Sequence, residues 1–90
     1  MTKLIETGRV EFRFFRPGAS IVKVAGEFTR WDREPLAMQS SGDGWWTAAA
    51  AIDPGEYRFR YVADGKWYTD FAANGVEATR AGWNSVLVVP

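Results

Sequence analysis

Thirteen residues, GEYRFRYVADGKW from Gly55 to Trp67, restrict what this chain can fold into more than any other stretch. Successive side chains of a strand point to opposite faces, so Tyr57, Phe59 and Tyr61 share one face and Arg58, Arg60 and Val62 the other. The aromatic face implies a core, and the arginine face implies contact with water. The strand ends at Ala63-Asp64-Gly65-Lys66, because a type I′ turn requires positive φ at both central residues and Asp-Gly accommodates it. The chain then folds straight back, and Trp67 opens the return strand beside the arginine face. An arginine next to an exposed indole on a sheet is the outline of a ligand platform.

Ninety residues make one domain, expected to span 1–90, and 47% hydrophobic content is enough for a single core. Eleven basic and eleven acidic residues cancel to a formal charge of zero. The chain therefore lacks the electrostatic footprint that carries binding to nucleic acid or to an anionic membrane. With no cysteine and no histidine, disulfides and thiolate chemistry are excluded, as are the commonest metal ligands and the usual general base at neutral pH. No cofactor and no metal is expected. The opening MTKLIETGRV has no apolar run of signal-peptide or membrane-span length, so the expected compartment is cytoplasmic. Aromatic residues reach 16% and five of them are tryptophan, more indoles than so small a core would normally use.

Residues 1–8 mix charged and small polar groups and are expected to be a flexible, frayed lead-in. From Arg9 to Phe15, Val10, Phe12 and Phe14 alternate with Glu11 and Arg13, a half-buried strand. Arg16-Pro17-Gly18-Ala19 is a turn, because proline fixes φ and glycine follows it. The next strand is Ile21 to Ala25, closed by Gly26, after which Glu27 to Asp32 leaves the regular pattern. Leu36 to Met38 is long enough for only a short strand, and residues 40–44 form a turn. Trp45 to Ile52 alternates with Trp46, Ala48, Ala50 and Ile52 on its inner side, leaving Trp45 exposed. Thr69 to Gly82 reads as irregular, with a turn at Asn74-Gly75, and the last strand is Ser85 to Val89. About seven short strands, with turns every ten residues or so and no amphipathic helix, predict an all-β sandwich or barrel.

Several runs in order then resemble a known family. They are Val24-Ala25-Gly26-Glu27-Phe28-Thr29-Arg30-Trp31, Pro35-Leu36, Asp43-Gly44-Trp45-Trp46, Pro54-Gly55-Glu56-Tyr57, Asp64-Gly65-Lys66-Trp67 and Asn84-Ser85-Val86-Leu87-Val88. Together they are similar to carbohydrate-binding module family 48, which includes the glycogen-binding domain of the AMP-activated protein kinase β subunit and the early-set domain of branching and debranching enzymes. The resemblance covers about residues 9 to 89. It implies an immunoglobulin-like (early-set) β-sandwich that binds α-1,4-linked glucan on one sheet without cleaving it. It also implies that Trp31 and Trp67 stack on glucose rings while Arg60 and Asn84 bond to sugar hydroxyls. A catalytic domain or a kinase-type complex is the further partner it suggests. Two departures stand out. Ala81 occupies a position where the kinase subunit carries a leucine that reaches across the sugar, and Trp83 replaces a small polar residue, offering a third stacking surface.

Elementary chemistry agrees with this assignment. A glucose ring has an apolar face of C–H groups and a rim of hydroxyls, so an indole beneath it buries area while Arg and Asn satisfy the rim. At about 25 cal/mol per Å² the stacking on two indoles amounts to only a few kcal/mol before ordering costs. Short sugars should bind weakly and polymers more tightly through multivalency.

Each candidate also has a plainer role. Trp31 as a loop residue folded onto the core edge, Trp67 as a cross-strand partner, Arg60 as the partner of a carboxylate and Asn84 as a turn cap are the alternatives. Arg58 reads as an ion-pair residue. Rival functions are a protein-interaction or regulatory domain of the same fold and, less favoured, a glycosidase. Asp32, Glu34, Asp43, Asp53, Asp64 and Asp70 fall in turns or loop edges typical of solvated caps, rather than in a catalytic pair.

Overall fold

The computed structural model describes residues 2–6, 8–70, 75–80 and 82–90, with Asp32 described by its backbone alone. Among the described residues there are ten strands: β1 (Thr2–Glu6), β2 (Arg9–Phe15), β3 (Val22–Gly26), β4 (Leu36–Ala37), β5 (Gln39–Ser40), β6 (Trp45–Ala51), β7 (Gly55–Ala63), β8 (Lys66–Tyr68), β9 (Gly75–Thr79) and β10 (Gly82–Val89). Two 3-10 turns, Glu27–Thr29 and Trp31–Arg33, join β3 to β4. One sheet has the order β1-β2-β6-β5 and the other β4-β3-β7-β10-β9, with β8 also paired to β7. All pairings are antiparallel, and the two sheets make the expected early-set immunoglobulin-like sandwich.

Period-two patterning determines which faces meet. Val10 and Phe12 of β2, Val22 and Val24 of β3, Phe59 and Tyr61 of β7, and Leu87 and Val89 of β10 are all buried in one core. The aromatic rings there adopt favourable arrangements: Phe14 stacks on Tyr61 at 4.5 Å between centroids, and Phe12 stacks on Phe28 and meets Phe59 edge-on, each at 5.4 Å. Gly26, at the end of β3, allows this packing. A Cβ there would stand 2.6 Å from the Arg58 carbonyl oxygen and 2.7 Å from Phe59 Cβ, closer than any side chain tolerates.

The β7–β8 hairpin forms as the Asp-Gly signal predicts. Asp64 and Gly65 have φ of 50° and 82°, and Val62 pairs with Trp67 across the turn. Asp64 is more than a solvated cap. Its carboxylate accepts hydrogen bonds from the backbone N–H of Ser20 at 3.0 Å and Ile21 at 2.9 Å, latching the turn to the loop before β3. Asp70 also departs from that expectation. It is buried, its carboxylate accepts a hydrogen bond from the Tyr61 hydroxyl at 3.1 Å, and its N–H donates to Ser85 Oγ at 2.6 Å.

Three further expectations need correction. The lead-in at residues 1–8 is not frayed over Thr2–Glu6, which pairs with β2 with Lys3 opposite Glu11 and Leu4 opposite Val10. An edge strand of this kind is held by backbone bonds and needs no apolar alternation. The segment from Thr69 to Gly82 is not wholly irregular, because Gly75–Thr79 forms β9 against β10. The last strand correspondingly begins at Gly82 rather than Ser85. Gly75 opens a strand, and Asn74 of the expected turn lies outside the described residues.

Candidate functional site

The outer face of the second sheet carries two cross-strand rows. In one, Lys23 of β3, Val62 of β7 and Trp67 of β8 stand opposite one another. In the next, Ala25 of β3 stands opposite Arg60 of β7, and Asn84 of β10 follows on the far side, one step beyond the Ser85–Phe59 pair. Neighbouring strands are about 4.8 Å apart and the rows about 6.7 Å apart along the chain, so these side chains share one small patch.

Arg60 is held in place within it. Its Nε donates to Asn84 Oδ1 at 2.8 Å, and Nη2 lies 3.5 Å from where a Cβ on Gly82 would stand, so the guanidinium rests over bare backbone. Because Asn84 Oδ1 accepts from Arg60, the remaining hydrogen-bonding capacity of the Asn84 side chain lies mainly in its two Nδ2 donors. Asn84 therefore presents donors, suited to hydroxyl oxygens.

Trp31 reaches this face from the linked 3-10 turns. Arg30 and Trp31 are both left-handed, with φ of 56° and 57°, a conformation that costs non-glycine residues free energy and persists only when neighbours fix it. Buried Thr29 does the fixing. Its hydroxyl accepts from Gly26 N–H at 2.9 Å and lies 3.0 Å from the carbonyl oxygens of both Gly26 and Trp31, which share its single proton. The result is a shallow hollow of about 440 Å³ lined by Trp31, Arg60, Trp67, Thr79 and Asn84, with Trp67 46% exposed.

Four of the five expected site residues thus come together, from four separate elements. Trp83 is the exception. It shares strand parity with buried Ser85, Leu87 and Val89, so it belongs to the opposite side of β10 from Asn84, and although 49% exposed it does not line the hollow. Ala81 lies outside the described residues. Thr79 was not anticipated: it enters from β9, the unexpected strand, with its hydroxyl donating to the Gly82 carbonyl at 2.8 Å. Arg58 is committed elsewhere, to Glu77 at 2.7 Å and Glu56 at 3.0 Å, and the Glu77 hydrogen bond raises its pKa further. Trp46 packs against the core and donates from Nε1 to the Arg16 carbonyl, while half-buried Trp45 lies under Arg13.

Two partly exposed indoles, a fixed guanidinium and an amide donor thus set apolar ring surface beside polar groups in one shallow hollow. Residues 8–90 match the family described as the glycogen recognition site of AMP-activated protein kinase. The chain belongs to that family. The fold recurs, at a TM-score of 0.72 and 27% identity, in a provisionally assigned α-amylase from Salmonella typhimurium. It recurs in a pullulanase from Anoxybacillus sp. LM18-11 complexed with maltotetraose, at 0.74 and 20%. It is also found in the catalytic module of the multi-modular glycogen-degrading pneumococcal virulence factor SpuA, in complex with an inhibitor, at 0.74 and 18%. These matches cover 97%, 97% and 98% of this chain but only 14%, 13% and 16% of the respective structures. Among curated proteins no sequence matches.

Proposed function

We propose that this domain binds α-1,4-linked glucan, of the glycogen, starch and maltooligosaccharide class, on the outer face of its second sheet and does not cleave it. The observation that carries this reading is the convergence of Trp31, Arg60, Trp67 and Asn84 on one hollow. Each indole offers an apolar surface for the C–H face of a glucose ring, while Arg60 and Asn84 offer donors to its rim. Family membership supports carbohydrate as the ligand class, and the maltotetraose held by the pullulanase is a sugar of the proposed kind. Glycoside hydrolysis needs an acid and a second carboxylate flanking the bond, whereas the lining of this hollow consists of rings, donors and a threonine. The domain's role is then to hold a polymer near a partner such as a catalytic domain or a kinase-type complex.

Co-sedimentation with insoluble starch or glycogen tests the reading. Wild type should pellet with the polymer, and Trp67→Ala should stay in the supernatant with its fold intact by circular dichroism. If both remain in the supernatant, the face binds something other than glucan, and a protein partner becomes the better account.

A further inference from the structure

Trp67 forms a wall of two hollows, the one it shares with Trp31 and Arg60 and another. On its other side lies a second hollow of about 180 Å³, lined by Lys23, Ala25, Pro35, Val62 and Trp67. Its floor is small and apolar: Ala25 and Val62 project on the same outer face as Arg60, and Ala25 is fully buried beneath it. Its rim is a cation. Lys23 stands in the same cross-strand row as Val62 and Trp67, its stem half-buried, and among the described residues no ion pair or hydrogen bond engages its ammonium. An apolar floor beside an indole, with a donor at the edge, repeats in miniature the chemistry of the Arg60 hollow.

We infer that the Lys23 hollow is a second subsite, taking the next glucose unit of a glucan already seated over Trp31 and Trp67, with the ammonium donating to a ring hydroxyl. The inference rests on the glucan reading above. The occupant follows from continuity, since both hollows share the Trp67 indole and a chain leaving the first along this face crosses directly into the second. Glucans short enough to fill the first hollow alone should not engage Lys23. Longer ones should.

Calorimetric titration of wild type and Lys23→Met with maltotriose and maltoheptaose tests this. Methionine keeps an apolar stem of similar length and removes the ammonium with its charge and donors, and circular dichroism verifies the fold. Extra binding registers favour maltoheptaose equally in both proteins, so the ratio of the two affinities is the informative quantity. Lys23→Met should leave maltotriose affinity unchanged and reduce the maltoheptaose-to-maltotriose ratio by about three- to tenfold. In wild type, the amide resonances of Lys23 and Val62 should shift with maltoheptaose and not with maltotriose. An unchanged ratio in Lys23→Met, with wild type binding both sugars, overturns the second subsite and leaves the glucan reading standing. Wild type binding neither sugar overturns both.

Discussion

At the scale of single residues, the proposed site depends on side chains outside its lining. Thr29 is the clearest case: its hydroxyl is bonded within the turn that holds Arg30 and Trp31 in left-handed conformations. Thr29→Val keeps the shape and removes the hydroxyl, leaving the buried Gly26 N–H without its acceptor, a loss of about 1–3 kcal/mol. For a domain of this size the melting temperature should fall by at least about 4 °C, and glucan affinity should weaken by up to about tenfold as Trp31 loses its fixed position. Unchanged melting and unchanged affinity in the variant would show that the turn holds itself. Neither Thr29 nor Thr79 was legible as a site residue in the sequence. A threonine two residues before a tryptophan looks like ordinary loop composition, and its role appears only when the hydroxyl meets backbone atoms brought together by folding. The placement of Arg60 and Trp67 on one face was legible, because period-two alternation assigns a face and Asp-Gly assigns the turn, whereas Trp31 was pointed to by the family resemblance alone.

At the scale of elements, the β7–β8 hairpin links fold to function, because Trp67 lies three residues after Asp64. Asp64 accommodates positive φ and its carboxylate also accepts the Ser20 and Ile21 N–H groups, so one residue sets both the turn and its docking against β3. Asp64→Ala loses both and should cost about 1–3 kcal/mol, more than Lys66→Ala at the neighbouring exposed position. Comparison of their chemical denaturation midpoints checks this, and equal midpoints would contradict the latch. The three strands that the sequence left unmarked, β1, β5 and β9, have a common cause. All are edges whose side chains are mostly exposed, so no buried face imposes an alternating pattern, and pairing with β2, β6 and β10 is carried by the backbone. The central strands β2, β3, β7 and β10 bury a face and were readable for that reason.

At the scale of the whole molecule, one buried polar contact ties the segment after the hairpin to the core. Tyr61 is completely buried; burial first, and the Asp70 carboxylate second, push its pKa far above the ordinary tyrosine value. A raised folded-state pKa means that its contribution to stability is complete below the unfolded value of about 10 and declines as pH rises beyond it, because only the unfolded chain releases that proton. Alkaline titration should therefore show the Tyr61 phenolate appearing only together with loss of near-ultraviolet circular dichroism, a step absent from Tyr61→Phe. Ionisation of Tyr61 while the fold persists would contradict the buried contact. The same sandwich that hides Tyr61 turns Arg60, one position earlier on β7, to the outer face, so a single strand serves the core on one side and the proposed binding face on the other. The central claim is that this outer face receives glucose rings on Trp31 and Trp67. Its most direct test follows the five indole N–H resonances, assigned through single Trp→Phe variants, as maltoheptaose is added. The Trp31 and Trp67 signals should move and saturate together while those of Trp45, Trp46 and Trp83 stay in place; a titration that moves neither Trp31 nor Trp67 would contradict it.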